Sequence, residues 1–117
     1  MRRNLPLVIL TMLCVSSCAD GPPEIGSGLP ANFQQARPVF YQRVKARFPV
    51  GSDETGLLAE LHRQHFAISH ASDTSRHANS ARYEARQIVC NLSWTISWSA
   101  EEGRIKEIAG DYGDVCH

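Results

Sequence analysis

The stretch Ile88-Val89-Cys90-Asn91-Leu92-Ser93-Trp94-Thr95-Ile96-Ser97-Trp98-Ser99 decides the fold. Its even positions are apolar or cysteine, and most of its odd positions are Asn, Ser or Thr. Successive side chains of a strand point to opposite faces, so this strict alternation predicts a long strand with one buried and one wet face. Ala100-Glu101-Glu102-Gly103 follows as a hairpin turn, with Gly103 free to take a positive φ. Arg104-Ile105-Lys106-Glu107-Ile108-Ala109 then returns as the last strand, with Ser99 expected to face Arg104. That register sets Gly113 opposite Cys90, and one bulge or curl brings Cys116 within reach. The stretch Gly110-Asp111-Tyr112-Gly113-Asp114 reads as a turn built by Asp and Gly.

Upstream, Phe66 and Ile68 begin another strand, and residues 71–81 form a polar loop. Before that the period changes to that of helices. Phe33, Phe40, Val44 and Phe48 fall close to one stripe, with the helix proper expected to start near Pro38, where proline is tolerated, and to end at Pro49. A second helix starts at Gly51-Ser52-Asp53-Glu54, with Ser52 as the expected N-cap and two acids in the first turn. Leu57, Leu58 and Leu61 give it an apolar face to about Gln64. The fold class is therefore α+β: two N-terminal helices packed on a three-stranded antiparallel meander, with the tryptophans of the long strand under the helices.

The start of the chain has a different grammar. Met1-Arg2-Arg3-Asn4 is a positive n-region, residues 5–15 are apolar but for Pro6 and Thr11, and Val15-Ser16-Ser17-Cys18 closes them. This is the order of a secretory signal, and the apolar run is too short to span a bilayer. Val15-Ser16-Ser17-Cys18 resembles the bacterial lipobox. The resemblance implies cleavage before Cys18, lipidation of Cys18 and a membrane-anchored mature protein. Residues 1–17 are then the signal peptide. Residues 18–31 are the lipidated cysteine and a flexible Gly/Pro-rich tether, and residues 32–117 a single periplasmic domain. Ala19, rather than an acid, follows Cys18, which argues for the outer membrane.

Of the 4 cysteines, Cys14 leaves with the leader and Cys18 is taken by lipid. Cys90 and Cys116 remain, an even pair in an oxidising compartment, so a disulfide is expected between them. With 12 basic and 12 acidic side chains, less Arg2 and Arg3 in the leader, the mature chain is slightly acidic. It has no basic patch for nucleic acid. Two groupings invite chemistry. His62, His65, His70 and His77 could gather a metal ion, and Asp111 with Asp114 could pass for a carboxylate pair. Surface histidines and an Asp/Gly turn account for them more simply, so no catalytic residue, metal or cofactor is assigned.

The helix-helix-strand-strand-strand order behind a lipobox and tether, with the Gly51-Ser52-Asp53-Glu54-Thr55 start of the second helix, resembles the SmpA/OmlA (BamE-like) group of small outer-membrane lipoproteins. That resemblance implies a non-catalytic binding or scaffolding role for an envelope protein partner. An inhibitor or immunity protein acting on a periplasmic hydrolase or toxin, and a small-ligand or metal-binding lipoprotein, are the other classes compatible with these residues.

Overall fold

A computed structural model describes residues 21–71 and 78–116. The chain is α+β, with helices α1 (Phe33–Arg47) and α2 (Glu54–Arg63) and strands β1 (Ala67–Ser69), β2 (Asn79–Ala85), β3 (Cys90–Glu101) and β4 (Arg104–Cys116). The strands form one antiparallel sheet in the order β1-β2-β3-β4. The sheet therefore has four strands where three were expected.

The added strand is β2, which begins inside the stretch expected to be loop. Its helix-side positions are Asn79, Ala81, Tyr83 and Ala85, opposite Trp98, Ile96, Trp94 and Leu92 of β3. Ala81 and Ala85 are completely buried. Small residues there leave room for the large indoles beside them, but they carry little apolar signal of their own.

β3 places Trp94, Ile96 and Trp98 in the core. It starts at Cys90, two residues later than the alternation suggested, and leaves Ile88 wholly exposed. The turn to β4 is two residues long. Glu101 pairs with Arg104, and Glu102 and Gly103 both take positive φ (54° and 76°), the tight hairpin shape that suits strand twist. A register shift at Ser99/Ala100 sets Ser99 opposite Glu107 rather than Arg104. The frame then runs on to put Cys116 directly opposite Cys90, and Gly113 opposite Ser93. Gly110-Asp111-Tyr112-Gly113-Asp114 is accordingly strand, not turn.

Two contacts hold that segment in the sheet. Tyr112 stacks on Trp94 (centroids 5.1 Å) and meets the tilted ring of Phe33 (5.2 Å). At Gly110, α1 lies so close that a Cβ would come 2.5 Å from Val44 Cγ2 and 3.1 Å from Phe40 Cε2. Glycine is what lets the helix settle on the strand.

α1 starts earlier than Pro38, at Phe33. The side chain of Asn32 accepts a hydrogen bond from the Gln34 backbone N–H (2.8 Å) and so caps it. Pro38 lies inside the helix on its exposed side. It removes the bond to the Gln34 carbonyl, a group on an exposed residue that water can satisfy. Ala36, Phe40 and Val44 form the buried stripe. The N-cap of α2 is Asp53 rather than Ser52, whose hydroxyl donates to the Pro49 carbonyl instead. Both helices lie on the tryptophan side of the sheet, and the α1–α2 connection seals the start of β4. Gly51 N–H donates to the Ile105 carbonyl (2.8 Å), and Ile105 N–H to the Ser52 carbonyl (2.9 Å). This covers part of a strand edge that would otherwise offer unpaired backbone groups.

The tether expected over residues 19–31 is folded from Gly21 onward. A short 3-10 turn, Glu24–Gly26, buries Ile25 in the core. The Ile25 N–H donates to Gln64 Oε1 (2.8 Å), and Arg43 Nη1 donates to the carbonyls of Ile25 (3.0 Å) and Ser27 (2.6 Å). The Tyr83 hydroxyl donates to the Gly21 carbonyl (3.0 Å). Gly26 sits against the Trp94 indole so closely that a Cβ would fall 2.4 Å from Nε1. These partners come from α1, the residue that ends α2, β2 and β3, so no local pattern announces them.

Candidate interaction surface

Both helices lie on one side, and no described helix covers the other face of the sheet, where Asn91, Thr95, Ser97 and Ser99 are half-buried and Ser93 is buried. Register assigns to it Ser80, Arg82 and Glu84 of β2, then Asn91, Ser93, Thr95, Ser97 and Ser99 of β3. β4 adds Glu107, Ala109, Asp111 and Gly113. These side chains are short in the middle and charged at the margins. Arg82 pairs with Glu84 on this face (2.6 Å), and Asp111 is bound from around the sheet edge by Arg37 of α1 (3.3 Å). The result is a low polar floor with few long side chains to be immobilised when another surface covers it.

The floor continues around the β4 edge into an open groove of about 550 Å³. Tyr41, Lys45 and Val50 stand on its helical side and Lys106, Ile108 and Ala109 on its strand side. Val50 is 63% exposed and Tyr41 is also exposed. Beyond Ile105, no described residue outside the sheet supplies a backbone partner to β4. The open edge, the polar floor and the exposed apolar side chains meet along one strand.

Cys90 and Cys116 form a disulfide across the β3–β4 pair. Asp114 is near it, with Oδ2 3.5 Å from Cys116 Sγ, but a disulfide sulfur carries no proton to donate and no thiolate to ligate. The gathering of Cys90, Asp114 and Cys116 is therefore a stapled strand end with one carboxylate beside it.

The other sequence-derived residues are dispersed. Asp111 faces the open side of the sheet opposite Thr95, whereas Asp114 faces the helix side opposite Leu92. Strand alternation separates the pair that a loop would have allowed to meet. His62 is exposed on α2, His65 follows it with a positive φ of 66°, and His70 is exposed beyond β1. These three do not form a ligand cluster among the described residues. His77 and Cys18 lie outside the described residues.

The most strongly perturbed carboxylate is one the sequence reading passed over. Glu60 is held at about 2, from an ordinary 4.5, chiefly by hydrogen bonds from Arg63 and Gln64. Arg63 in turn reaches Glu24 (2.6 Å), and Gln64 is the residue that receives the Ile25 N–H. This network ties the N-terminal segment to α2 rather than lining a cleft. Tyr112 is shifted upward, first by burial and then by the charge of Asp114.

Comparison with known proteins returned no matching family, no matching curated protein and no matching solved structure. The fourth strand also departs from the three-stranded order on which the resemblance to the SmpA/OmlA group rests.

Proposed function

We propose that this chain is a lipid-anchored protein of the bacterial envelope that binds another envelope protein through the sheet face opposite its described helices, with no catalytic step of its own. The observation that carries this reading is the one-sided packing: both described helices cover the tryptophan face, while Asn91, Thr95, Ser97 and Ser99, half-buried, form a polar floor around the buried Ser93 that ends at an open edge. A surface of short polar side chains beside exposed Tyr41 and Val50 suits a protein partner, since it can be covered at small entropic cost and rimmed by apolar anchors. The placement of Asp111 and Asp114 on opposite faces of the sheet supports a binding rather than a catalytic role.

Anchoring rests on Val15-Ser16-Ser17-Cys18. No described helix is long and apolar enough to cross a membrane. Three acyl chains on Cys18 give stable attachment without one. Attachment to the outer membrane, facing the periplasm, follows the Ala19 reading. A domain confined to a membrane surface meets confined partners often, so a modest interface suffices.

The test is site-specific photocrosslinking in living cells, with the crosslinking residue at Ser97 and, as a control, at Ala59 on the exposed side of α2. Adducts to a single envelope protein from Ser97 and none from Ala59 are expected. Adducts from Ala59 alone move the binding surface to the helices and overturn the reading. If the captured protein is a hydrolase whose activity falls on binding, the inhibitor class replaces scaffolding on the same surface.

A further inference from the structure

The end of the sheet opposite the Glu102–Gly103 hairpin carries the two most exposed large apolar side chains among the described residues, Ile88 and Val89, with Val115 beside them. Ile88 is 101% exposed, Val89 67% and Val115 42%. All three flank the disulfide that joins β3 to β4, with Val115 paired to Asn91 and the loop of Ile88 and Val89 leading directly into Cys90. The N-terminal segment arrives at this same end. Pro22 and Gln87 line one small cavity of about 180 Å³, together with Leu92 and Tyr112. Gly21 is fastened to Tyr83 through its carbonyl (3.0 Å).

We infer that this apolar tip is a membrane-contact surface, seated in the headgroup boundary of the phospholipid leaflet that holds the Cys18 lipid. The inference rests on the anchoring proposed above and adds an orientation to it. Chain length makes the case. Three peptide units separate Cys18 from Gly21 and span at most about 11 Å when fully extended. Gly21 is packed, so the slack of a 14-residue tether is not available to the domain. The lipid surface then lies within about 11 Å of Gly21, and the segment leaving Gly21 runs beside Gln87, next to the end where Ile88, Val89 and Val115 stand exposed. Aliphatic side chains favour the acyl boundary over water, and the exposed Arg86 beside them suits the phosphates of an anionic leaflet. The opposite end, with Val50 near the hairpin, is separated from the tip by the length of β3, roughly 35 Å at strand rise. The open sheet face then stands upright on the membrane.

The experiment uses the mature lipidated protein reconstituted into vesicles of phosphatidylethanolamine and phosphatidylglycerol with brominated acyl chains. Single variants Ile88→Trp, Val89→Trp and Val50→Trp are compared with the parent protein, whose Trp94 and Trp98 are buried background. All three positions are exposed, so folding is not at issue. Emission added at positions 88 and 89 is expected to be quenched roughly twofold, for a side chain about 5–10 Å into the boundary. Emission added at position 50 is expected to be unchanged. Absence of quenching at 88 and 89 in protein that carries palmitate at Cys18 overturns the tip contact and leaves the anchor standing. Absence of palmitate at Cys18 overturns both. Shielding of position 88 that depends on protein concentration and not on brominated lipid assigns the tip to a second copy and overturns the inference.

Discussion

Trp94 concentrates more of the structure than any other side chain. It is 2% exposed, stacks on Tyr112, meets Tyr83 edge-on at 5.8 Å, and carries Gly26 against its indole nitrogen. Its Nε1 has no hydrogen-bond partner among the described residues, whereas the Nε1 of Trp98 donates to Glu54 (2.8 Å). Trp94→Ala is expected to cost about 3–5 kcal/mol, enough to unfold a marginal domain, because it empties a site lined by the Tyr83 and Tyr112 rings and the N-terminal segment. Ser97→Ala, on the open face, is expected to change stability by less than about 0.5 kcal/mol. Urea denaturation of both variants checks the pair, and the reverse order of effects would mean that the face assignment of β3 is inverted.

At the scale of elements, legibility in the sequence followed the size of the inward side chains. β3 could be read because Trp94, Ile96 and Trp98 alternate with Thr95 and Ser97, and α2 because Leu57 and Leu61 keep helical spacing. β2 could not, because its inward Ala81 and Ala85 are small and its pairing depends on neighbours far along the chain. The N-terminal segment was least legible of all. Its Gly and Pro content is that of a linker, and what holds it is Arg43, Gln64 and Tyr83. Of the candidate site, the polar face of β3 was legible and its extension over β2 and the β4 edge was not. The Glu24–Arg63–Glu60 network offers a test of this docking. Glu60 titrates lower in the folded chain than in the unfolded one, so its contribution is complete above about pH 4.5 and is lost as pH falls toward 2. The melting temperature of the parent is expected to fall across that window more steeply than that of Glu60→Gln, which lacks the group; parallel curves would show that the network adds nothing.

Across the whole molecule, the disulfide closes the open end of the β3–β4 hairpin over a sequence separation of 26 residues. Loop-closure entropy makes that worth about 3–4 kcal/mol, a large share of what a domain of this size possesses. Reduction is expected to lower the melting temperature by about 10 °C or more, read by calorimetry with and without reductant. An unchanged transition would mean that strand pairing alone holds the end shut.

The seat of Gly26 under Trp94 has a consequence for the order in which the chain acquires its structure. Ile25 must wait for Gln64, 39 residues later, and Gly21 for Tyr83, 62 residues later. A growing chain releases these early residues well before their partners exist, and closing such long loops is entropically costly until the sheet is already there to receive them. Docking of the segment is thus a late event, and until it happens one side of the Trp94 indole is bare. A shortened chain beginning at Asn32 would hold the domain at that stage. Its tryptophan emission is expected to lie to the red of the longer chain's, and a peptide of residues 19–31 added in trans would shift it back.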